Sequence, residues 1–222
     1  MNQQNKLRTL QSHFPKPEKI LMACCGFILL GLGVAAMRAI YLGVDPFGAL
    51  AIGLSIQTGL TFGMILLLLH IPVFIVMLCK ARRLIGAGTI IGMFGIGFVI
   101  DFFYLIIQRM PFVVSELHLA LRLVLLAIAL VVFAFGIALY MVSDIGMVPF
   151  DAIGVITEDL SGGRIKFRWV RLTGDVLCAG AAFLLGATLG VATIVTAFCL
   201  GPLISFFRDR IRAAVECNSN AL

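Results

Sequence analysis

The stretch LGVDPFGAL, Leu42 to Leu50, separates two long apolar runs, and a close copy, IGMVPFDAI, returns at Ile145 to Ile153. A proline-centred break written twice in similar surroundings asks for one structural explanation. The surroundings are strongly apolar: of 222 residues, 61% are hydrophobic and 13% charged, against roughly 45–50% and about 25% in an average soluble domain. Apolar runs near the roughly 20 residues needed to cross a hydrocarbon core recur throughout the chain. The sequence therefore reads as a polytopic membrane protein with no separate soluble domain.

Six full spans are expected, at about Ile20 to Tyr41, Thr61 to Cys79, Gly86 to Ile107, Leu117 to Met141, Trp169 to Gly186 and Thr188 to Phe207. Each break opens a shorter segment, Pro46 to Gly59 and Pro149 to Gly162. These have proline at the favoured first helical position and glycine where helices tend to stop. At about fourteen residues they are too short to span comfortably. Residues 1–19 read as a polar cytoplasmic tail: Leu21 to Cys24 imitate a lipoprotein processing site, but no apolar leader region precedes them. Residues 213–222 form the opposite tail.

The breaks belong to an internal repeat covering residues 20–110 and 111–212. Gly43, Pro46, Phe47 and Gly59 match Gly146, Pro149, Phe150 and Gly162 at one common separation. With a slip of one residue, GAGTII (Gly86 to Ile91) matches GVATIV (Gly190 to Val195), and Gly97, Phe102 and Phe103 match Gly201, Phe206 and Phe207. The matches are mostly glycine, proline and threonine at ordered spacings, which chance similarity between greasy segments does not supply. Each repeat reads as span, short helix, span, span.

If the short helices do not cross, each repeat crosses three times and the second lies inverted. Lys and Arg concentrate in cytoplasmic loops, so inversion should exchange charge between equivalent loops. TGLTFG after the first short helix has no Lys or Arg, whereas Arg164, Lys166, Arg168 and Arg171 follow the second. In the next loop the order reverses: Lys80, Arg82 and Arg83 in the first repeat, and the uncharged LLGATLG in the second. Lys6, Arg8, Lys16 and Lys19, with Arg208, Arg210 and Arg212, put both termini inside; Arg109 is the main exception. Topology and contact with anionic lipid account for the net charge of +6 without a nucleic-acid partner.

Leu42 to Pro46, extended, would reach roughly 17 Å, enough to dip from one surface toward the midplane before the short helix climbs out. Non-helical backbone at that depth needs protein or a water-filled cavity around it. Two such re-entrant helices entering from opposite sides would bring Pro46 and Pro149, with their positive helix ends, toward a common centre, where transporters build binding sites. The alternative is that both segments are amphipathic connectors in the interface.

Ionisable groups inside spans are the second pointer to a site. His70 lies mid-span in the first repeat, Asp175 close to its equivalent in the second, and Asp101 inside the third span with Ser205 as its counterpart. A buried carboxylate costs several kcal/mol unless paired, and His70 with an aspartate forms a candidate proton relay. Asp45 and Asp151 flank the short-helix starts, where capping is the ordinary role; facing a solute, they would favour cations or amines. Arg38 and Arg122, near span ends, suit lipid or structural contacts. Small residues four apart, Gly88 with Gly92 and Gly186 with Gly190, suit close helix packing or a homodimer face. The six cysteines show no metal-site or redox spacing. Nucleophile-elbow, phosphate-loop and HExxH patterns are absent, so no enzyme activity, metal or cofactor is expected.

The repeated LGxxPF-type turn, GAGT at Gly86 to Thr89 and GVAT at Gly190 to Thr193 resemble the YczE/YitT-type family of small bacterial membrane proteins, over nearly all of residues 20–212. The resemblance implies a bacterial inner-membrane protein of a group commonly regarded as transporters, and carries no substrate class. Phe47 and Phe150 stand where that family often has tryptophan, and Gly48 stands opposite Asp151, which leaves open whether Asp45 supplies the missing acid.

The expected protein is thus an all-α membrane protein of six spans in two inverted three-helix repeats. It acts as a transporter or channel for a small solute, with proton coupling open to it, and Asp45, Pro46, His70, Asp101, Pro149, Asp151 and Asp175 are its site residues. The rival is a membrane regulator that binds a partner through its basic face. In a background lacking native cysteines, a cysteine at Thr61 should react with an impermeant label from outside and one at Lys166 only from inside; labelling from the same side would overturn the inverted topology.

Overall fold

The computed structural model describes residues 17–110 and 117–219, and among them the regular structure is entirely helical. Eight α-helices follow in order: α1 (Pro17–Ile40), α2 (Pro46–Thr58), α3 (Phe62–Lys80), α4 (Ala87–Gln108), α5 (Leu119–Ser143), α6 (Pro149–Leu160), α7 (Phe167–Leu184) and α8 (Val191–Ser219), with a 3₁₀ turn at Arg82–Leu84. Most of the expected N-terminal tail lies outside the described residues. At the other end, α8 continues as helix through residues expected to be tail.

Both breaks become short helices that start on their prolines, of 13 residues (α2) and 12 residues (α6). Gly59 is the left-handed C-cap of α2, with φ of 71°, whereas α6 is capped by Ser161 in right-handed geometry and the left-handed Gly162, with φ of 62°, follows it. Among the described residues, five helices are long and apolar enough to cross a membrane: Pro17–Ile40, Phe62–Lys80, Ala87–Gln108, Leu119–Ser143 and the Val191–Val215 part of α8.

The sixth expected span corresponds to α7, which carries Arg168, Arg171 and Asp175 within its 18 residues. Its polarity is turned inside out. Phe167, Arg171, Asp175 and Ala182 are buried, whereas Leu177, Phe183 and Leu184 are 69%, 68% and 85% exposed. Outward apolar side chains also cover α4, where Phe94, Phe98 and Phe102 are exposed.

At the centre α1 packs along α5, flanked by α4 on one side and α8 on the other. Gly26 and Gly136 permit the α1–α5 crossing. A Cβ on Gly26 would lie 2.7 Å from the Tyr140 nitrogen, and one on Gly136 would lie 2.5 Å from the Leu30 nitrogen. This is the small-residue contact expected of membrane helices, although its glycines are not the pairs singled out in the sequence. Of those, Gly88 packs on Ile145 and Gly146 and Gly92 on Phe27 and Val148, while Gly186 is an open turn residue with φ of 82°.

The two irregular loops are held reciprocally. In front of α2, the Leu42 carbonyl accepts from the Ala192 amide at 2.9 Å; in front of α6, the Ile145 carbonyl accepts from Gly88 at 2.8 Å, and Met147 donates to Leu84 at 2.9 Å. Each loop is therefore clasped by the start of the last long helix of the other sequence repeat. Gly43 (φ 99°) and Gly146 (φ 123°) take the left-handed turns this requires, and each lies against the opposing glycine and threonine, Gly190 with Thr193 and Gly86 with Thr89.

Backbone stands on both sides of each clasp, so no side chain can yield. A Cβ on Gly190 would sit 1.9 Å from the Leu42 carbonyl oxygen and one on Gly86 2.2 Å from that of Ile145. Gly190→Ala and Gly86→Ala should each destabilise the detergent-purified protein by about 3 kcal/mol or more, beyond the usual overpacking range. Gly180→Ala, in α7 with nothing within 4 Å of its Cβ, should be neutral or gain up to ~1 kcal/mol. Thermal or denaturant unfolding of the three variants checks the ranking.

Candidate functional site

The two short helices meet start to start. Phe47 and Phe150, each the second residue of its helix, stack with ring centroids 4.2 Å apart, and the ring of His70 on α3 lies tilted against Phe47 at 5.2 Å. Proline at each first position fixes φ without sacrificing an amide that the helix would use. Around these starts lies a cavity of about 50 Å³ with Asp45, Phe47, His70, Phe150, Asp151 and Arg171 on its wall, lined also by apolar side chains of α1, α4 and α5.

Asp45 is the N-cap of α2, its Oδ2 accepting from the Gly48 amide at 3.0 Å. Gly48 leaves space for that carboxylate, since a Cβ there would lie 2.7 Å from Asp45 Oδ1. An acid thus fills the space at the position facing Asp151 in the repeat, contributed from three residues upstream.

Asp151 does not cap. Val148 is the N-cap of α6, without a side-chain cap bond, and Asp151, one turn inside, accepts from the Tyr140 hydroxyl and from Arg171 Nη1. Arg171 also donates through Nε to Asp175 Oδ2 at 3.3 Å, one turn further along α7, and lies 4.6 Å over the Phe150 ring. Tyr140, Asp151, Arg171 and Asp175 are all buried. Three buried side-chain atoms at this centre have no partner: Asp45 Oδ1, His70 Nδ1 and Asp175 Oδ1.

Asp45, His70 and Asp151 therefore share one cavity wall, Pro46 and Pro149 set the helix starts behind it, and Asp175 joins through Arg171. No hydrogen bond links His70 to a carboxylate, so the geometry does not supply the relay. Asp101 belongs elsewhere. It accepts from Arg38 Nη1 at 2.9 Å and from the Gly63 amide at 3.3 Å, with the Arg38 guanidinium 4.2 Å from both the Phe62 and Tyr104 rings. That cluster ties α1 and α4 to the start of α3. Arg122 is likewise structural, donating to the Ile40 and Tyr41 carbonyls at the end of α1.

Arg171 and Tyr140 are the central residues the sequence reading missed. Arg171 was grouped with the basic loop of Arg164, Lys166 and Arg168. Its spacing of four from Asp175, which puts the two on one helical face, was the available signal. Nothing in the sequence marks Tyr140.

Buried charge inside, apolar side chains outside and five helices able to cross a bilayer define an all-helical membrane protein. The chain belongs to the family of unknown function DUF6198, matched over residues 17–209. It is similar to the Bacillus subtilis proteins YyaS, 29% identical over 182 residues (81% of this chain, 86% of the relative), and the uncharacterized membrane protein YczE, 27% identical over 184 residues (82% and 81%). An uncharacterized protein of Haemophilus influenzae is 27% identical over 183 residues (82% and 80%). The resemblance to YczE-type proteins read from the repeated turns thus stands. No solved structure matches the chain.

Removing one partner of a buried ion pair typically costs 3–5 kcal/mol, because the other charge is left uncompensated. Losing a single hydroxyl donor costs about 1–3 kcal/mol. Arg171→Met should therefore destabilise more than Tyr140→Phe, and adding Asp151→Asn and Asp175→Asn to Arg171→Met should recover much of the loss. Unfolding curves across this cycle test whether Arg171 is the counter-charge of both aspartates.

Proposed function

We propose that the protein is a transporter or channel for a small solute, with its site in the cavity between the starts of α2 and α6. The carrying observation is the convergence of two interrupted helices on buried, partly unpartnered polar groups. Solute sites in membrane transporters are built from such discontinuous helices, and buried ionisable groups there are the usual functional residues.

The accompanying architecture is six spans in two inverted repeats, with α2 and α6 re-entrant and α7 as the sixth span. Equivalent positions making equivalent contacts support it: Leu42 with Ala192 against Ile145 with Gly88, and Gly43 with Gly190 against Gly146 with Gly86. The outward apolar face of α7 supports its lying against lipid, its charges turned to the centre. The distribution of Lys and Arg supports both termini being cytoplasmic in a bacterial inner membrane. The face of α4 around Gly95, where a Cβ would meet only its own helix, is open to lipid or a second copy.

A regulatory role through the basic face has one observation in its favour. A separate polar pocket of about 330 Å³ is lined by Arg83, Arg208 and Arg212 with Asp144 and Glu158, and Arg208 Nε is buried without a hydrogen-bond partner, 3.9 Å from Asp209 Oδ1.

Melts of the purified protein over a panel of amines, amino acids, organic anions and metal ions separate the two roles, together with uptake into proteoliposomes. A solute at a hundred times its Kd adds about 2.7 kcal/mol to the folded state. That gain and the uptake should vanish in Asp151→Asn and Asp175→Asn and survive in Asp101→Asn, whose carboxylate serves the α1–α3–α4 junction. Dependence on Arg83 and Arg208 instead, with no uptake, would favour the regulator.

A further inference from the structure

We infer that the cavity between α2 and α6 takes a small monovalent cation of the ammonium class, positively charged and carrying N–H donors; the inference rests on the reading of that cavity as the solute site. Charge comes first. Arg171 is the guanidinium on the cavity wall and pairs with Asp151 and Asp175, while Asp45 lines the same cavity outside that pair; with the three acids ionised, the two helix starts contribute roughly +0.5 each against them. The remainder is about one negative charge, which suits one monovalent cation. Among the described residues no group of three or more His, Cys, Asp or Glu side chains is arranged to hold a metal ion.

Hydrogen-bonding demand points the same way. Both Asp151 oxygens are used, by Arg171 and Tyr140. Arg171 engages Asp151 and Asp175 through Nη1 and Nε and lies over Phe150, so its charge is already shared between two acids. Asp45 differs. One of its oxygens caps α2, while Oδ1 is buried and unpartnered on a residue that lines the cavity and is 5% exposed. An ionised carboxylate oxygen only accepts, so its complement is a donor.

Size and wall chemistry narrow the class. At about 50 Å³ the cavity has room for roughly three to five water-sized groups, at about 10–15 Å³ each, which fits ammonium or a short primary amine. Phe47, Phe62, Phe133 and Phe150 make much of the remaining wall apolar, which suits a solute whose uncharged part is a short alkyl group.

The test is a melt of the purified full-length protein in detergent with methylammonium chloride, against tetramethylammonium chloride, sodium acetate and sodium chloride at equal ionic strength. Methylammonium at a hundredfold excess over Kd should raise Tm by about 5–10 °C. Tetramethylammonium, which is larger and has no N–H, and acetate should match sodium chloride. Asp45→Asn keeps the cap, since asparagine caps as well as aspartate, but turns an amide donor toward the cavity; it should abolish the methylammonium shift. If that variant does not fold, the wild-type series decides alone.

Stabilisation by acetate, a methylammonium shift that survives Asp45→Asn, or no methylammonium shift would each overturn the inference. If some other solute stabilises the protein and loses its effect in Asp151→Asn, the ammonium class falls while the solute site stands. If no solute depends on Asp151, both fall.

Discussion

A backbone that leaves helical geometry among apolar helices must find partners for its amides and carbonyls, because hydrocarbon offers none and each orphan costs several kcal/mol. The stretches before α2 and α6 carry that obligation, and the structure meets it with the starts of α4 and α8. Leu42 is received by Ala192 and Ile145 by Gly88. Closeness of this kind is possible only where two backbones touch, which is why glycine sits on both sides of each clasp. Everything at the centre follows: the clasps fix where α2 and α6 begin, and so where their first side chains, Phe47 and Phe150, meet.

The charges at that meeting point are unevenly divided. Asp151, Arg171 and Asp175 all come from the second repeat, on α6 and α7, while the first contributes Asp45, His70 and otherwise apolar walls. The division explains why α7, alone among the long helices, fails as an apolar span. Its arginine and aspartate point into the protein, and its leucines and phenylalanine point out. A buried guanidinium between two carboxylates is tolerable because its geometry is shared: Nη1 serves one acid, Nε the other, and the ring of Phe150 covers its face.

Features governed by local chemistry were legible in the sequence. Proline fixes φ and starts a helix; glycine ends one; both act within a few residues, so α2 and α6 were placed nearly to the residue. The capping role of Asp45 was legible for the same reason. Features set by tertiary burial were not. Arg171 stands among Arg164, Lys166 and Arg168, and beyond its spacing of four from Asp175 nothing local separates the one that turns inward from those left in solvent. Asp101 has the same in-span character as Asp175, yet a partner on α1, Arg38, draws it to a helix junction. Gly26 and Gly136 escaped notice because each is ordinary within its own helix and matters only where the two helices cross.

Reciprocal clasping also limits how the centre can change. The loop before α2 is held by α8 and the loop before α6 by α4, so neither pair can part without breaking backbone hydrogen bonds whose buried groups would need new partners. Motion that keeps the clasps must pivot about them, and the left-handed glycines Gly43 and Gly146 lie at those points. The side chains free to respond are those without a partner in this arrangement, Asp45 Oδ1, His70 Nδ1 and Asp175 Oδ1. Two of those atoms are carboxylate oxygens, the acceptors at this centre that the cap of α2 and the Arg171 pairs leave unused.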